Sequence, residues 1–431
     1  MNTMPTATET APAAAKSSRG MEALAPADKH IWGIFIALCI ISVIELYSAS
    51  SREVVSSGTF GVFGPIVRHC IMLLMGALVV IGLSRVPYKY FMPATPIIAL
   101  LGVGMMVYVM FFGEIVNGAR RSLTLLGFTI QPSEILKLSA VLVVALIMSR
   151  TQMKRGVKTK GVVASAIIVV ILGGVLFQQG LTNFVLLMSI SVSMMLIGGV
   201  QWKKFLVVMI IYAIGGAGIM YMKKHADPDE KPTSEVAKVD RTSTQKGRLS
   251  RWDPFRDKSG DEINRDNRQE MFSYMAQANG GIIGVFPGNS RETARLPLAF
   301  SDYIFAIIIE DLGFVGAAGL LLLYLWLLAR AGSIASHCSR AFPAMLVMGM
   351  AVMICFQALF HMGITSGVLP VSGQPLPLIS KGGTSILVTS CAFGIMLSVS
   401  RYAARSGKRQ DAKQELNALP EELHADNPTQ L

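Results

Sequence analysis

Apolar runs long enough to cross a membrane recur along this chain and leave little freedom in how it can fold. They lie at 31–47, 66–83, 92–112, 135–148, 162–177, 183–200, 205–222, 303–328, 345–364 and 386–399. A bilayer core needs roughly 20 apolar residues per helix, and inside it every backbone polar group must be paired within the protein. The expectation is an all-α polytopic membrane protein with about ten transmembrane helices. Composition agrees: 52% of residues are hydrophobic and 15% charged, where a soluble domain is nearer a quarter charged. The first run is read as a retained span, because no small-residue cleavage site follows it. The fourth is short, so Pro132 or Ser133 is expected to open its helix.

Basic residues sort by loop. Arg85 and Lys89 follow the second run, Arg150, Lys154, Arg155, Lys158 and Lys160 the fourth, and Lys203 and Lys204 the sixth. Arg330 and Arg340 follow the eighth, and Arg401, Arg405, Lys408, Arg409 and Lys413 the tenth. The alternate short loops carry few. Positive-inside bias then places both termini in the cytoplasm and residues 223–301 outside, as one large extracytoplasmic loop between the seventh and eighth helices. Most of the +12 net charge is topogenic, so no nucleic-acid partner is needed to explain it. The five cysteines show no Cys-x-x-Cys spacing and indicate neither a disulfide framework nor a zinc site. The expected organisation is a disordered cytoplasmic tail over 1–29, a membrane domain over 30–402 and a cytoplasmic tail over 403–431.

The outer segment reads as flexible through Gly247 and ordered from Arg248. Glu270 to Ala278 has the pattern of a short amphipathic helix at the membrane surface, and a Gly-rich turn over 280–288 follows. The segment ends where a charged loop becomes an apolar helix, and at that joint stand Ser301 and Asp302. A carboxylate at a water–membrane boundary is a functional candidate by default. The competing reading is an N-cap, with either side chain meeting the first free N–H groups of the helix.

Two other outward loops are unusual. Arg120 and Arg121 run against the positive-inside bias, which suggests an anionic partner. Glu134 and Lys137, three apart on a helix, can pair, either as a structural ion pair or in substrate binding. Between the last two runs, the loop at 367–385 is broken by Pro370, Pro375 and Pro377. Such backbone at membrane depth is tolerated only where protein buries it or it lines a watery cavity. Lys381, Gly382 and Gly383 then open the last helix, a place suited to a phosphate.

Five blocks in order, Asn117-Gly-Ala-Arg-Arg121, Gln131-Pro-Ser-Glu-Ile-Leu-Lys137, Trp252-Asp-Pro254, Leu296-Pro297 through Ser301-Asp302-Tyr303-Ile304-Phe305-Ala306 with Glu310 and Gly313, and Leu369-Pro-Val371 through Gly382-Gly-Thr-Ser385, resemble the SEDS family of shape, elongation, division and sporulation proteins. The resemblance spans nearly all of the membrane part and is interrupted at Ser122, Leu298, 178–183 and Lys381. Residues 287–290 and 373–385 are more similar to the family's cell-division branch than to its elongation branch. The resemblance implies a peptidoglycan glycosyltransferase of the bacterial inner membrane. Its substrate would be lipid II, and its partners a class B penicillin-binding protein and other divisome membrane proteins. Asp302 matches the family's essential acid and is the expected base. Arg120, Arg121, Lys137 and Lys381 are the candidates for meeting the pyrophosphate, and Glu134, Ser301, Asn289 and Ser290 complete the candidate substrate contacts. No cofactor is expected with certainty, and a divalent cation (Mg2+ or Mn2+) is left open as an addition. The rival class is a lipid-precursor transporter, which would need polar sites near the midplane, whereas these gather at the outer ends of the spans. A recruiting scaffold is a third class and would tolerate loss of Asp302.

Overall fold

The computed structural model describes residues 26–50, 64–116, 119–125, 128–153, 156–177, 179–225, 252–253, 262–264, 267–296 and 299–418. The expected disorder of the N-terminal tail and the expected flexibility before Gly247 lie outside these residues.

Every apolar run forms a helix. In chain order they are α1 (Lys29–Ser50), α2 (Gly64–Arg85), α3 (Phe91–Phe112), α4 (Pro132–Arg150), α5 (Thr159–Phe177), α6 (Leu181–Ile197) and α7 (Trp202–His225). After the outer segment come α8 (Arg268–Gly280), the single turn α9 (Ala299–Asp302), α10 (Ile304–Ser336), α11 (Ala341–Thr365) and α12 (Gly383–Ala418). Among the described residues eight of these are long and apolar enough to cross a membrane, and α6, with 17 residues, is a shorter apolar helix. The fold is therefore that of an all-α multi-pass membrane protein. Pro132 opens α4 as expected, where its missing N–H costs nothing. α12 continues to Ala418, past the residue 402 boundary expected for the membrane part.

The interior is built from α4, α11 and α12, whose spans are 72%, 78% and 83% buried, against 28% and 22% for α2 and α3. At the start of α1, Asp28 Oδ1 accepts from the N–H groups of His30 (2.9 Å) and Ile31 (3.0 Å), and Arg330 reaches Oδ2 at 2.6 Å. Burial works to raise the Asp28 carboxyl, but Arg330 and the two helix N–H groups outweigh it and hold it below its ordinary value.

The strands were not anticipated. Between α3 and α4 the chain forms an antiparallel sheet of β1 (Glu114–Val116), β2 (Ala119–Leu125) and β3 (Phe128–Ile130). Val116 pairs with Ala119, and the Asn-Gly between them is the sequence signal of a two-residue hairpin loop.

The helix expected near the end of the outer segment forms as α8, and its buried face meets protein. Ser273 Oγ and Gln277 Nε2 donate to Thr365 O at 2.9 and 2.7 Å, which satisfies a free carbonyl in the last turn of α11. The eighth span, α10, is broken at Gly313 (φ 68°, ψ −170°). The chain at 281–286 runs beside the break. Val285 and Phe286 donate to Glu310 O and Asp311 O at 2.9 and 2.8 Å, while Phe314 and Val315 donate to Gly281 O and Ile282 O. These bonds supply what an interrupted helix loses inside a membrane. A Cβ on Gly313 would lie 2.3 Å from Ile282 O. Gly313→Ala is accordingly expected to lower stability by about 2–3 kcal/mol, read as thermal unfolding of the purified protein. An unchanged melting temperature would show that the two backbones need not meet.

Candidate active site

Asp302 ends α9 and is half-buried. The chain turns at Tyr303 (φ −129°, ψ 18°), which is the N-cap of α10 and makes no side-chain capping bond. The capping reading of Ser301 and Asp302 is thus not what the turn shows. Ser301 Oγ instead donates to Asp302 Oδ1 at 3.0 Å.

The Pro-rich loop between α11 and α12 forms the other wall. Ser380 Oγ donates to Ser301 O (2.8 Å), and Lys381 N donates to Phe300 O (3.0 Å). Lys381 Nζ lies 4.1 Å from the centre of the Phe300 ring, a cation–π contact that sets an ammonium beside the turn carrying Asp302. Gly373 faces the carboxylate so closely that a Cβ there would lie 3.1 Å from Asp302 Oδ2. The loop meets the condition for irregular backbone at membrane depth, because neighbouring helices take its carbonyls. His361 Nδ1 donates to Gln374 O (2.6 Å), Tyr324 to Pro377 O (2.8 Å) and Ser42 to Ile379 O (3.2 Å). Those donors come from α11, α10 and α1.

Glu134 and Lys137 lie in the core and hold this loop by the residue after Gly373. Lys137 Nζ donates to Glu134 Oε1 at 2.7 Å and reaches Gln374 Oε1 at 3.5 Å. Gln357 Nε2 donates to Glu134 Oε2, and Gln374 Nε2 to Asn183 Oδ1, both at 2.8 Å. A hydrogen-bonded polar cluster of this kind rigidifies what it touches. Here it anchors one strand of chain whose next residue contacts Asp302.

The remaining candidates divide. Ser290 is buried, and its hydroxyl is committed to Glu310, which also accepts from Arg291 N at 3.0 Å. Asn289 is exposed, with Nδ2 donating to Val285 O at 3.0 Å. The structure therefore joins Ser290 to the broken part of α10, while Lys381 and Ser301 share the Asp302 turn. Burial raises the neighbouring Glu292 carboxyl above its ordinary value, against the pull of Arg295 at 3.4 Å. Arg120 and Arg121 lie on β2, and their side chains are outside the described residues. Their sheet leads through Gln131, whose N–H bonds Thr384 Oγ1 at 2.9 Å, to the start of α12, where Lys381 stands. Sequence reasoning missed Asn183, Gln357, His361 and Gln374 as parts of the site. The available signal was that each is a polar residue in or between apolar runs.

Chemically, the arrangement offers one half-buried carboxylate, an ammonium beside its turn and a rigid wall of glycine and proline. Among the described residues no group of three or more His, Cys, Asp or Glu side chains is placed to hold a metal ion.

Comparison with known proteins bears on this geometry. The family model for FtsW, RodA and SpoVE, described as "Cell cycle protein", matches residues 28–405. A Coxiella burnetii protein named "Probable peptidoglycan glycosyltransferase FtsW" is 28% identical over 377 residues, covering 86% of this chain and 95% of that relative. Escherichia coli "Peptidoglycan glycosyltransferase MrdB" is 26% identical over 373 residues, covering 86% and 92%. A chain of a solved peptidoglycan synthase complex superposes with a TM-score of 0.63 at 24% identity, covering 87% of this chain and 98% of that one, which shows the shared fold.

Proposed function

Because this chain belongs to the FtsW, RodA and SpoVE family, we propose that it is a peptidoglycan glycosyltransferase that polymerises lipid II, with Asp302 as the general base. The observation that carries this reading is the seat of Asp302. It is half-buried, oriented by Ser301 and enclosed by a loop that three helices hold in place. The Asp302 carboxylate takes the proton of an acceptor sugar's 4-hydroxyl as that oxygen attacks the anomeric carbon of a second lipid-linked sugar. The bond from that carbon to the pyrophosphate oxygen breaks, undecaprenyl pyrophosphate leaves, and an α-linked donor gives a β-1,4 product. Asp302 then returns its proton to water. No second acid is required, since pyrophosphate leaves as a stable anion. The Lys381 ammonium beside the turn favours the charge that develops there. A divalent cation, Mg2+ or Mn2+, would take most of its oxygen ligands from the pyrophosphate and water, as Mg2+ commonly does.

We assign the activity to septal synthesis in cell division, beside a class B penicillin-binding protein and other divisome membrane proteins. The sequence at 287–290 and 373–385 supports the division branch, while relatives named FtsW and MrdB match at similar identity. Both termini are assigned to the cytoplasm and Asp302 to the outer face, on the distribution of basic loops.

Proteoliposomes carrying fluorescent lipid II separate this reading from transport. Glycan polymer is the expected product. Lipid moved between leaflets without polymer would instead identify a transporter. Gly373→Ala is expected to slow polymerisation about tenfold, since displacing a reacting group by a fraction of an ångström carries a large kinetic penalty. An unchanged initial rate would remove the Gly373 contact from the site.

A further inference from the structure

Ser42 on α1 and His69 on α2 are both buried, and Ser42 Oγ lies 2.6 Å from His69 Nε2. The direction of that bond follows from counting protons. The Ser42 hydroxyl has one proton, which goes to Ile379 O at 3.2 Å. A carbonyl can only accept, so His69 must be the donor to Ser42 Oγ and carries its proton on Nε2. The reverse direction would take the Ser42 proton away from Ile379, a residue that is itself buried.

A simpler account is a polar pair satisfied within the core. A helical serine satisfies itself more locally than this. Ser139, Ser149, Ser189 and Ser193 each donate to a carbonyl three or four residues back in their own helix. Ser42 instead crosses to the Pro-rich loop, and His69 holds its oxygen there.

The carbonyl it reaches is well placed. Ile379 is followed by the two residues on which the Asp302 turn rests. Ser380 Oγ donates to Ser301 O at 2.8 Å, and Lys381 N to Phe300 O at 3.0 Å. Ser380 Oγ also accepts from Leu376 N at 2.8 Å, which ties the loop to itself. Ser301 Oγ then donates to the Asp302 carboxylate. Hydrogen bonds and one short piece of backbone therefore connect a ring on α2 to the carboxylate. Donation from His69 polarises the Ser42 hydroxyl and strengthens its bond to the loop.

We propose that His69 is a positioning residue for Asp302: it fixes the Ser42 hydroxyl on Ile379 O and so holds 379–381 against the turn that carries the carboxylate. The link to Asp302 chemistry rests on the polymerase reading; the link to the loop does not.

The test compares full-length variants in nanodiscs by hydrogen exchange of the backbone amides at 378–382. His69→Leu fills a similar volume without a donor, and Ser42→Ala removes the hydroxyl itself. Each is expected to speed exchange there at least about tenfold. His69→Gln places an amide N–H near the position of Nε2 and is expected to stay within about threefold of wild type. The double variant Ser42→Ala with His69→Leu is expected to match Ser42→Ala alone, because His69 acts through the hydroxyl. Unchanged exchange in Ser42→Ala would overturn the proposal, and so would equal exchange in His69→Gln and His69→Leu. The Ser42→Ala and His69→Gln comparison decides the matter even if His69→Leu does not fold.

The same samples are then given labelled lipid II. His69→Leu is expected to lower kcat about tenfold with KM within about threefold of wild type, and His69→Gln to restore kcat. A tenfold rise in KM at unchanged kcat would overturn the positioning role in favour of substrate contact. A wild-type protein that makes no glycan would count against the polymerase reading, while the exchange result would still decide the link to the loop.

Discussion

Lys137→Met is expected to lower the unfolding free energy by about 3–5 kcal/mol. The Lys137 side chain is 0% exposed and that of Glu134 3%. Removing the ammonium leaves the Glu134 carboxylate in the core with the Gln357 amide donating to it, and an uncompensated buried charge is far more costly than a missing contact. Replacing both partners, Glu134→Leu with Lys137→Met, is expected to recover most of the loss, because a buried ion pair and a well-packed apolar pair are often close in free energy. Thermal or denaturant unfolding of the single and double variants checks this. The single variant also frees Gln374 from Lys137, so the loop next to Asp302 loosens and polymerisation falls with stability. A single variant that melts like wild type yet fails to make glycan would instead place Lys137 on the substrate.

Much of this was legible before any coordinates. Hydropathy located the long apolar helices because a bilayer admits few alternatives to a helix, and Pro132 marked the start of the fourth. Asp302 stood out as a carboxylate at the joint between a charged loop and an apolar helix. The capping alternative was equally legible and did not hold, because α9 ends at Asp302 and the chain turns again at Tyr303 before α10 begins. The break in α10 was hidden, since one glycine in an apolar run looks like any other small residue. Only the chain at 281–286 shows why Gly313 has positive φ. The cluster behind the site was hidden for a different reason. Gln374 and Asn183 are 191 residues apart, and no local period records a contact of that range. Glu134 and Lys137 were legible as a pair from their spacing, but Gln357, on another helix, was not.

Asp302→Asn is expected to slow polymerisation about 10²–10⁴-fold, the range general-base catalysis by a positioned side chain supplies. The substitution keeps the shape of the side chain and an oxygen that Ser301 Oγ can still donate to, as it does now at 3.0 Å. It also leaves room for Gly373, so neither the turn nor the loop against it has reason to move. What it removes is the capacity to take a proton. Loss of activity should therefore come with an unchanged melting temperature and retained lipid II binding, a combination that misfolding cannot produce. The decisive measurement is the initial rate of glycan synthesis from labelled lipid II by purified Asp302→Asn protein with the proposed class B penicillin-binding protein, beside lipid II binding by the same sample. Binding within about threefold of wild type with glycan synthesis reduced at least about 100-fold is the predicted result. Full-length glycan at the wild-type rate would contradict the assignment of Asp302 as the base.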